Sequence, residues 1–341
     1  MKSRRKKTAT PVKIIKDLTT GYPFAHAGHH HKRREAVSVT AQPVAKPRSH
    51  RGSARHFCPG HKKRNRWGMV YLLSMHALNK ADIIRHLGNM WHKVADQLAE
   101  HYTVVASDLR GYGDSDKPPT NETHTPYSKR ASGNDQVKLM QLLGFNKFQL
   151  VGHDRGGRVG HRMALDHPDV IEKLVIMDIA PTYTMYTTTD MEFATAYYHW
   201  FFLIQPYDIP EKMIGQNPLY FLEKKIGQWG RDGSAFTKEA FNEYLRCLTP
   251  ETIHASCEDY RASATIDIEH DQVDLDNGNK IKCPVLCLWG KKGFVGRKYD
   301  VIGEWSNWAD SVQGYGINSG HYLPEETPEE TLNALLKFLT K

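Results

Sequence analysis

Phe148-Gln149-Leu150-Val151-Gly152-His153-Asp154-Arg155-Gly156-Gly157-Arg158-Val159-Gly160 joins a short apolar run to a helical pattern that continues to Leu165. The apolar run is typical of a buried β-strand, and it predicts the order strand, glycine-rich turn, helix. This order is the layout of a nucleophile elbow. Gly152 and Gly156 flank Asp154 because a tight turn packed between strand and helix leaves no room for Cβ atoms. The residue at the tip is a carboxylate, Asp154, where an esterase would carry serine.

Apolar runs of strand length alternate with helical patterns on both sides of this turn. The runs are Met69–Leu73, Tyr102–Ala106, Leu174–Asp178 and Pro284–Trp289, and the helical patterns are Trp91–Leu98, Gln136–Leu143 and Pro328–Leu339. This alternation predicts an α/β fold with a mostly parallel sheet flanked by helices. Ligands bind at the carboxyl ends of parallel strands. Asp108, Asp154 and Asp178 all lie at such ends.

Residues 182–270 interrupt this alternation. They are rich in aromatic side chains and mainly helical in pattern, so we interpret them as a cap inserted after the strand that ends at Asp178. The sequence is therefore divided into a segment of residues 1–66 and an α/β domain of residues 67–341 that contains this cap.

The positive net charge of +8 belongs to the first segment. Residues 1–66 contain 18 Lys and Arg against Asp17 and Glu35, whereas the remaining residues carry 28 basic and 36 acidic side chains. The acidic domain argues against a specific nucleic-acid-binding protein. The basic segment cannot bury enough apolar surface to fold, so we expect disorder there. It is interpreted as a functionally neutral tail, as a targeting or polyanion-binding arm, or as a metal-binding histidine tract.

The five cysteines form no obvious disulfide framework, and the spacing of Cys58 and His61 fits no zinc pattern, so no metal site is expected. No apolar run approaches the roughly 18–20 residues that cross a bilayer. We therefore expect a cytoplasmic protein that does not interact with membranes.

Three motifs together resemble one enzyme family: Asp108-Leu-Arg-Gly-Tyr-Gly-Asp-Ser, Gly152-His-Asp-Arg-Gly-Gly-Arg and Ser319-Gly-His-Tyr. The chain resembles the α/β-hydrolases and, more narrowly, the haloacetate (fluoroacetate) dehalogenases, over roughly residues 90–341. The family also carries a His-Gly-aromatic-Pro loop after its first core strand. Here Ser74-Met75-His76-Ala77-Leu78-Asn79 stands in that place. A non-catalytic protein with this fold, inactive because the loop is lost, is therefore an alternative.

The resemblance implies a catalytic triad without a cofactor. Asp154 is expected to be the nucleophile, because a carboxylate that attacks an sp³ carbon leaves an ester that water can hydrolyse. His321 follows in the chain order nucleophile, acid, histidine, and would be the base. Asp178 would orient this histidine and stabilise its charged form.

Two further groups of residues are expected to bind the substrate. Arg155 and Arg158 lie three residues apart beside the turn, where two guanidiniums suit a carboxylate better than a neutral molecule. The resemblance implies that His199, Trp200 and Tyr260 stabilise the departing halide. Asp108 and Arg110 are expected to organise the loop beside the pocket.

These predictions describe a hydrolase that converts a 2-haloacetate to glycolate and halide, with the haloacid and water as its partners. The resemblance also suggests a homodimer. An epoxide hydrolase with the same Asp-His-Asp set remains an alternative, although it would leave the arginine pair unexplained.

Overall fold

The structure is a computed structural model that describes residues 13–14, 68–74, 89–229 and 234–340. The predictions for the rest of residues 1–66, and for most of the loop that follows Ser74, lie outside the described residues. Within the described residues, no helix combines the length and apolar character that crossing a bilayer requires.

Seven parallel strands form one sheet in the order β1-β3-β2-β4-β5-β6-β7. The strands are β1 Lys13–Ile14, β2 Gly68–Ser74, β3 Tyr102–Asp108, β4 Phe148–His153, β5 Ile171–Met177, β6 Val285–Gly290 and β7 Val312–Ile317. All six residues of β4 are buried, as expected for a central strand covered on both faces. The prediction of an α/β fold with a mostly parallel sheet is confirmed. The sequence analysis did not predict β7, because this strand contains two glycines, alternates in burial and has no apolar run.

Fifteen α-helices and two 3₁₀ turns, Asn89–Trp91 and Thr125–Tyr127, accompany the described strands. The α-helices are α1 Ala95–Leu98, α2 Lys129–Leu142, α3 Arg155–Asp166, α4 Thr182–Thr187, α5 Met191–Ala196, α6 Tyr198–Leu203, α7 Ile209–Gln216, α8 Pro218–Trp229, α9 Lys238–Cys247, α10 Pro250–Ala264, α11 Ile266–Asp276, α12 Val295–Lys298, α13 Val301–Ser306, α14 Leu323–Glu326 and α15 Pro328–Leu339. The predicted helix at residues 91–98 is therefore a 3₁₀ turn and a separate short helix. The predicted closing helix coincides with α15.

Successive strand residues face opposite sides of the sheet and enter two separate cores. Tyr71 and Leu150 pack on one side with residues of α2 and α3, such as Met140 and Val159. Val70, Leu72 and Val151 pack on the other side with residues of α1 and α15. A third apolar cluster joins α4–α7 to α10 in the segment predicted as a cap. The carboxyl ends of β4 and β5 therefore open towards these helices.

Candidate active site

Asp154 occupies a sharp turn between β4 and α3. Its φ of 45° and ψ of −114° lie outside the conformations that most side chains adopt. A Cβ atom on Gly152 would lie 2.6 Å from the carbonyl oxygen of Gly156 and 2.7 Å from the Cα atom of Gly157. The glycine at 152 is thus required by the close approach of helix and strand. The turn holds the carboxylate of Asp154 above the end of the sheet.

His321 connects the carboxylates of Asp154 and Asp178. Its Nε2 atom lies 3.7 Å from Oδ2 of Asp154, and its Nδ1 atom lies 2.7 Å from Oδ2 of Asp178. The other oxygen of Asp178 accepts a hydrogen bond of 2.9 Å from the backbone N–H of Gly290. The three side chains are buried. The structure therefore brings together the three residues of the predicted triad, in the geometry of nucleophile, base and orienting acid.

The charges of Asp154 and His321 stabilise each other. Burial lowers the pKa of His321, but its hydrogen bonds to Asp154 and Asp178 outweigh burial and raise the pKa from 6.5 to about 9. Burial raises the pKa of Asp154, and the hydrogen bond and charge of His321, together with the charge of Arg158, move it far below its usual value. Asp154 is therefore a charged carboxylate at every ordinary pH.

His153 is a neighbour of the triad that the motif did not identify. Its Nε2 atom lies 2.7 Å from the backbone oxygen of His321, so the ring holds the histidine loop against the turn. Burial and the charge of His321 lower the pKa of His153 to about 4. Its ring is therefore neutral and donates this hydrogen bond.

Arg155 forms an ion pair with a carboxylate of α10. Its Nε atom donates to Oδ2 of Asp259 at 2.5 Å, and its Nη2 atom donates to the Asp259 carbonyl and to Ser263. Asp259 also accepts from Lys129 and from the hydroxyl of Tyr112, each at 2.7 Å. The Nη1 atom of Arg155 is buried and has no hydrogen-bond partner among the described residues. The Nε and Nη2 edge of this guanidinium therefore forms hydrogen bonds within the protein.

Arg158 is also buried, but its hydrogen-bond partners are neutral groups. Its Nη1 atom donates to the carbonyl of Ala180 and the hydroxyl of Thr182, and its Nη2 atom lies 3.1 Å from the sulfur of Met185. No carboxylate of the described residues forms an ion pair with Arg158, and its Nε atom lacks a hydrogen-bond partner. An anion is the natural complement of a buried guanidinium that forms no contact ion pair.

A cavity of about 140 Å³ lies in front of Asp154. Asp154, His321, His199 and Tyr260 contribute to its wall, together with apolar side chains from residues 203–253. Burial raises the pKa of Tyr260 and lowers that of His199, so the wall presents a phenol O–H and a neutral imidazole. Two of the three predicted halide ligands thus line the same cavity as the nucleophile.

Trp200 and the two arginines stand outside this lining and pack against it. The guanidinium carbon of Arg158 lies 4.7 Å from a ring centroid of Trp200, and that of Arg155 lies 4.2 Å from the ring centroid of Tyr260. Cation–π contacts of this kind fix the planes of both guanidiniums. The two aromatic residues therefore position the arginines, and Tyr260 also lines the cavity.

Asp108 is the last residue of β3, and Arg110 lies in the loop that follows. Oδ2 of Asp108 accepts from the backbone N–H of Asp114 at 3.1 Å. Arg110 forms a bidentate pair with Asp135, with distances of 2.6 and 2.7 Å. Both residues hold the loop, and neither is part of the cavity wall.

Residues 76–327 match the family model of the α/β hydrolase fold. The chain belongs to the α/β-hydrolase family. It is 44% identical to a fluoroacetate dehalogenase from Burkholderia sp over 254 residues, which are 74% of this chain and 83% of that protein. The predicted resemblance of this α/β-hydrolase to the haloacetate dehalogenases is thereby confirmed, and the protein is a hydrolase.

Two other α/β-hydrolases are also similar to this chain. A soluble epoxide hydrolase from Corynebacterium sp. (strain C12) is 32% identical, over 73% of this chain and 84% of its own length. The crystal structure of a protein from Nostoc sp PCC 7120 shares 55% identity and superimposes with a TM-score of 0.74, over 80% of this chain and 91% of its own. Relatives that act on two chemical classes therefore share this fold.

Proposed function

We propose that this α/β-hydrolase converts a 2-haloacetate, such as fluoroacetate or chloroacetate, to glycolate and halide through an ester on Asp154. The observation that carries the proposal is the carboxylate of Asp154 at the turn, 3.7 Å from Nε2 of His321, together with the buried guanidinium of Arg158, whose hydrogen-bond partners are all neutral. A haloacetate offers both an electrophilic carbon and a carboxylate. The 44% identity to a fluoroacetate dehalogenase supports the same substrate class.

In the first step, a carboxylate oxygen of Asp154 attacks C2 of the substrate from the side opposite the halogen. The new C–O bond forms as the carbon–halogen bond breaks, and the halide leaves with the bonding electron pair. Arg158 holds the substrate carboxylate, and the free Nη1 of Arg155 adds a donor. His199, Trp200 and Tyr260 donate hydrogen bonds to the departing halide, whose charge develops in a cavity with little competing water.

In the second step, water attacks Cγ of the Asp154 ester. Esterification removes the negative charge that helped to raise the pKa of His321, so this pKa falls and the neutral ring, which can accept a proton, becomes more populated once the ester has formed. Nε2 of His321 takes a proton from the water, and the backbone N–H of Arg155, at the helix N-terminus, donates to the oxyanion. Collapse of this intermediate expels glycolate, which takes the proton from His321, and one further proton leaves to solvent as the Asp154 carboxylate re-forms.

Epoxide hydrolysis is a second candidate, favoured by the phenol of Tyr260 in the cavity wall and by the similarity to an epoxide hydrolase. A tyrosine O–H can donate to an epoxide oxygen as the ring opens. A neutral epoxide has no group for Arg158, whose buried charge would then lack a function. A haloacid substrate gives a function both to the phenol of Tyr260, as a donor to the halide, and to the charge of Arg158.

The deciding measurement is halide release by the purified protein from fluoroacetate and chloroacetate, with an epoxide substrate assayed in parallel. Halide release that disappears in Asp154→Asn is expected. Protein that is folded by circular dichroism and opens the epoxide, but releases no halide, would overturn the dehalogenase. Protein that acts on none of these substrates would favour an inactive scaffold.

A further inference from the structure

His321, the proposed base, lies in residues 318–322, the segment that joins β7 to α14. This segment belongs to no strand or helix, so no regular ladder of backbone hydrogen bonds fixes it. The imidazole is held by Asp178 at Nδ1, while Nε2 has to face the space in front of Asp154. The position of the ring therefore also depends on what anchors the backbone on either side of His321.

The carboxylate of Glu326 accepts a hydrogen bond on each side of His321. Its Oε2 atom accepts from the backbone N–H of Gly320 at 2.8 Å, and its Oε1 atom accepts from the backbone N–H of Tyr322 at 2.9 Å. Hydrogen bonds to a carboxylate are roughly twice as strong as those between neutral groups. One side chain therefore fixes two peptide groups, one before the base and one after it.

Capping of α14 explains only one of these two bonds. Tyr322 is the N-cap of α14, and a glutamate that reaches back to the N-cap N–H stabilises the start of a helix. Gly320 lies before His321 and outside the helix, so its bond to Oε2 caps nothing. Between the two bonds, the ring of His153 holds the carbonyl oxygen of His321 at 2.7 Å. The three contacts together restrict the backbone of the base on both sides.

The two steps of the proposed reaction depend differently on this backbone. The first step needs no base, because the carboxylate of Asp154 attacks the carbon directly. In the second step the base must stay within hydrogen-bond reach of the attacking water. A misplacement of about 1 Å can cost roughly a hundredfold in rate. Loss of the anchor should therefore slow the second step alone.

We propose that Glu326 is a positioning residue for the base: by holding the N–H groups of Gly320 and Tyr322, it keeps Nε2 of His321 aimed at the water that hydrolyses the Asp154 ester. This inference rests on the proposed function. Glu326 is not among the described residues that line the cavity, so it acts through His321 and without touching the substrate.

The test separates the two steps in a single turnover of chloroacetate with the protein in excess. Halide release measures ester formation, and glycolate release measures ester hydrolysis. Glu326→Gln keeps the shape of the side chain but replaces one acceptor oxygen by an NH₂ group, which cannot accept a hydrogen bond. Glu326→Ala removes both acceptors. Glu330→Gln is the matched control, because it changes an exposed carboxylate in the adjacent helix α15. Circular dichroism and thermal melting check that each variant is folded.

Both Glu326 variants should release halide within about twofold of the wild-type rate. They should release glycolate at least about tenfold more slowly, so the Asp154 ester accumulates and can be found by mass spectrometry. Glu330→Gln should match the wild type in both steps. A readout without substrate is the downfield NMR signal of the proton between Nδ1 of His321 and Asp178, assigned by its loss in Asp178→Asn. This signal should shift or broaden in both Glu326 variants and stay unchanged in Glu330→Gln.

Equal slowing of halide and glycolate release would overturn the proposal. A lower melting temperature with both rates unchanged would assign Glu326 to capping alone and would overturn it as well. A wild type that releases no halide would reject the dehalogenase instead, and the NMR signal would then decide the role of Glu326. A signal that is the same in the wild type and in both Glu326 variants would overturn the positioning role.

Discussion

Arg155 and Arg158 lie three residues apart in α3, but only Arg155 is paired with a carboxylate, that of Asp259. Arg158 meets a carbonyl, a hydroxyl and a sulfur instead. The two guanidiniums, which look equivalent in the sequence, therefore have different partners in the folded protein. Arg155 joins α3 to α10, and in the proposed function Arg158 supplies the main charge for the substrate anion.

Replacement of Arg158 by methionine should raise KM for chloroacetate at least about tenfold, because a charge-assisted pair to the carboxylate is lost. Removal of a buried charge that has no ionic partner should leave the melting temperature nearly unchanged or raise it. Arg155→Met is the comparison variant, and its effect on KM should be smaller because only its Nη1 is offered to the substrate. It should lower the melting temperature clearly, because it leaves Asp259 without its closest cation, at a cost of about 3–5 kcal/mol. Equal effects of the two variants on KM and on stability would contradict this division.

His321→Gln should stop the reaction at the ester, because no group can then activate the water. After incubation with chloroacetate, we expect mass spectrometry to find a carboxymethyl group on the peptide that contains Asp154, with about one halide released per protein molecule. Asp154→Asn should show neither the adduct nor the halide. An adduct on any other residue would contradict the assignment of the nucleophile.

The wild-type protein, in a single turnover in ¹⁸O-labelled water, should produce unlabelled glycolate. The water attacks Cγ of Asp154, so the label should enter that side chain, while the product keeps an oxygen of the aspartate. Mass spectrometry of the product and of the peptide measures both. Labelled glycolate in the first turnover would indicate direct displacement by water.

Gly152→Ala should destabilise the turn, because the new Cβ would lie 2.6 Å from a backbone oxygen that cannot move without shifting α3. A loss of about 1–3 kcal/mol is expected from such overpacking, together with a loss of activity. Gly227→Ala is the control, since nothing lies within 4 Å of its Cβ position in α8. This change should stabilise the helix by about 0.5–1 kcal/mol. Urea unfolding measures both, and a harmless alanine at position 152 would refute the packing argument.

Asp271 should make the stability of the protein fall as pH rises. Burial, opposed by the charge of Arg162 and assisted by the neighbouring carboxylates of Asp267 and Asp274, raises the pKa of Asp271 from 3.8 to about 7. The folded state then holds a proton that the unfolded state has lost, so stability declines between about pH 4 and pH 7, by up to about 4 kcal/mol. Asp271→Asn should remove this decline.

Melting temperatures of the wild type and of Asp271→Asn at pH 5 and pH 8 provide the comparison. The difference between the two proteins should shift in favour of the variant as pH rises. A constant difference would show that Asp271 titrates as it does in the unfolded chain. Asp274 also forms an ion pair with Arg162, so Asp274→Asn is the matched control for Asp271→Asn.

The local motifs identified the turn and the histidine loop, because each motif is formed by residues close together in the chain. Gly152 and Asp154 belong to one strand–turn–helix unit, and His321 follows the last strand in the order that this family keeps. β7 was not predicted, since its glycines and alternating burial give it no apolar run. The break between Trp91 and Ala95 was not predicted either, because the apolar spacing continues across it.

The sequence by itself determined the order of strand, turn and helix around Asp154, the carboxylate at the tip of the turn, and the family of the protein. Only the tertiary structure decided which arginine is neutralised and which cation faces the cavity. Asp259 lies 104 positions after Arg155, and Lys225, which lines the cavity, lies in a helix with no recognisable motif. Whether a charge is compensated depends on burial and on partners from distant elements, and the packing of α3, α8 and α10 around one cavity sets both.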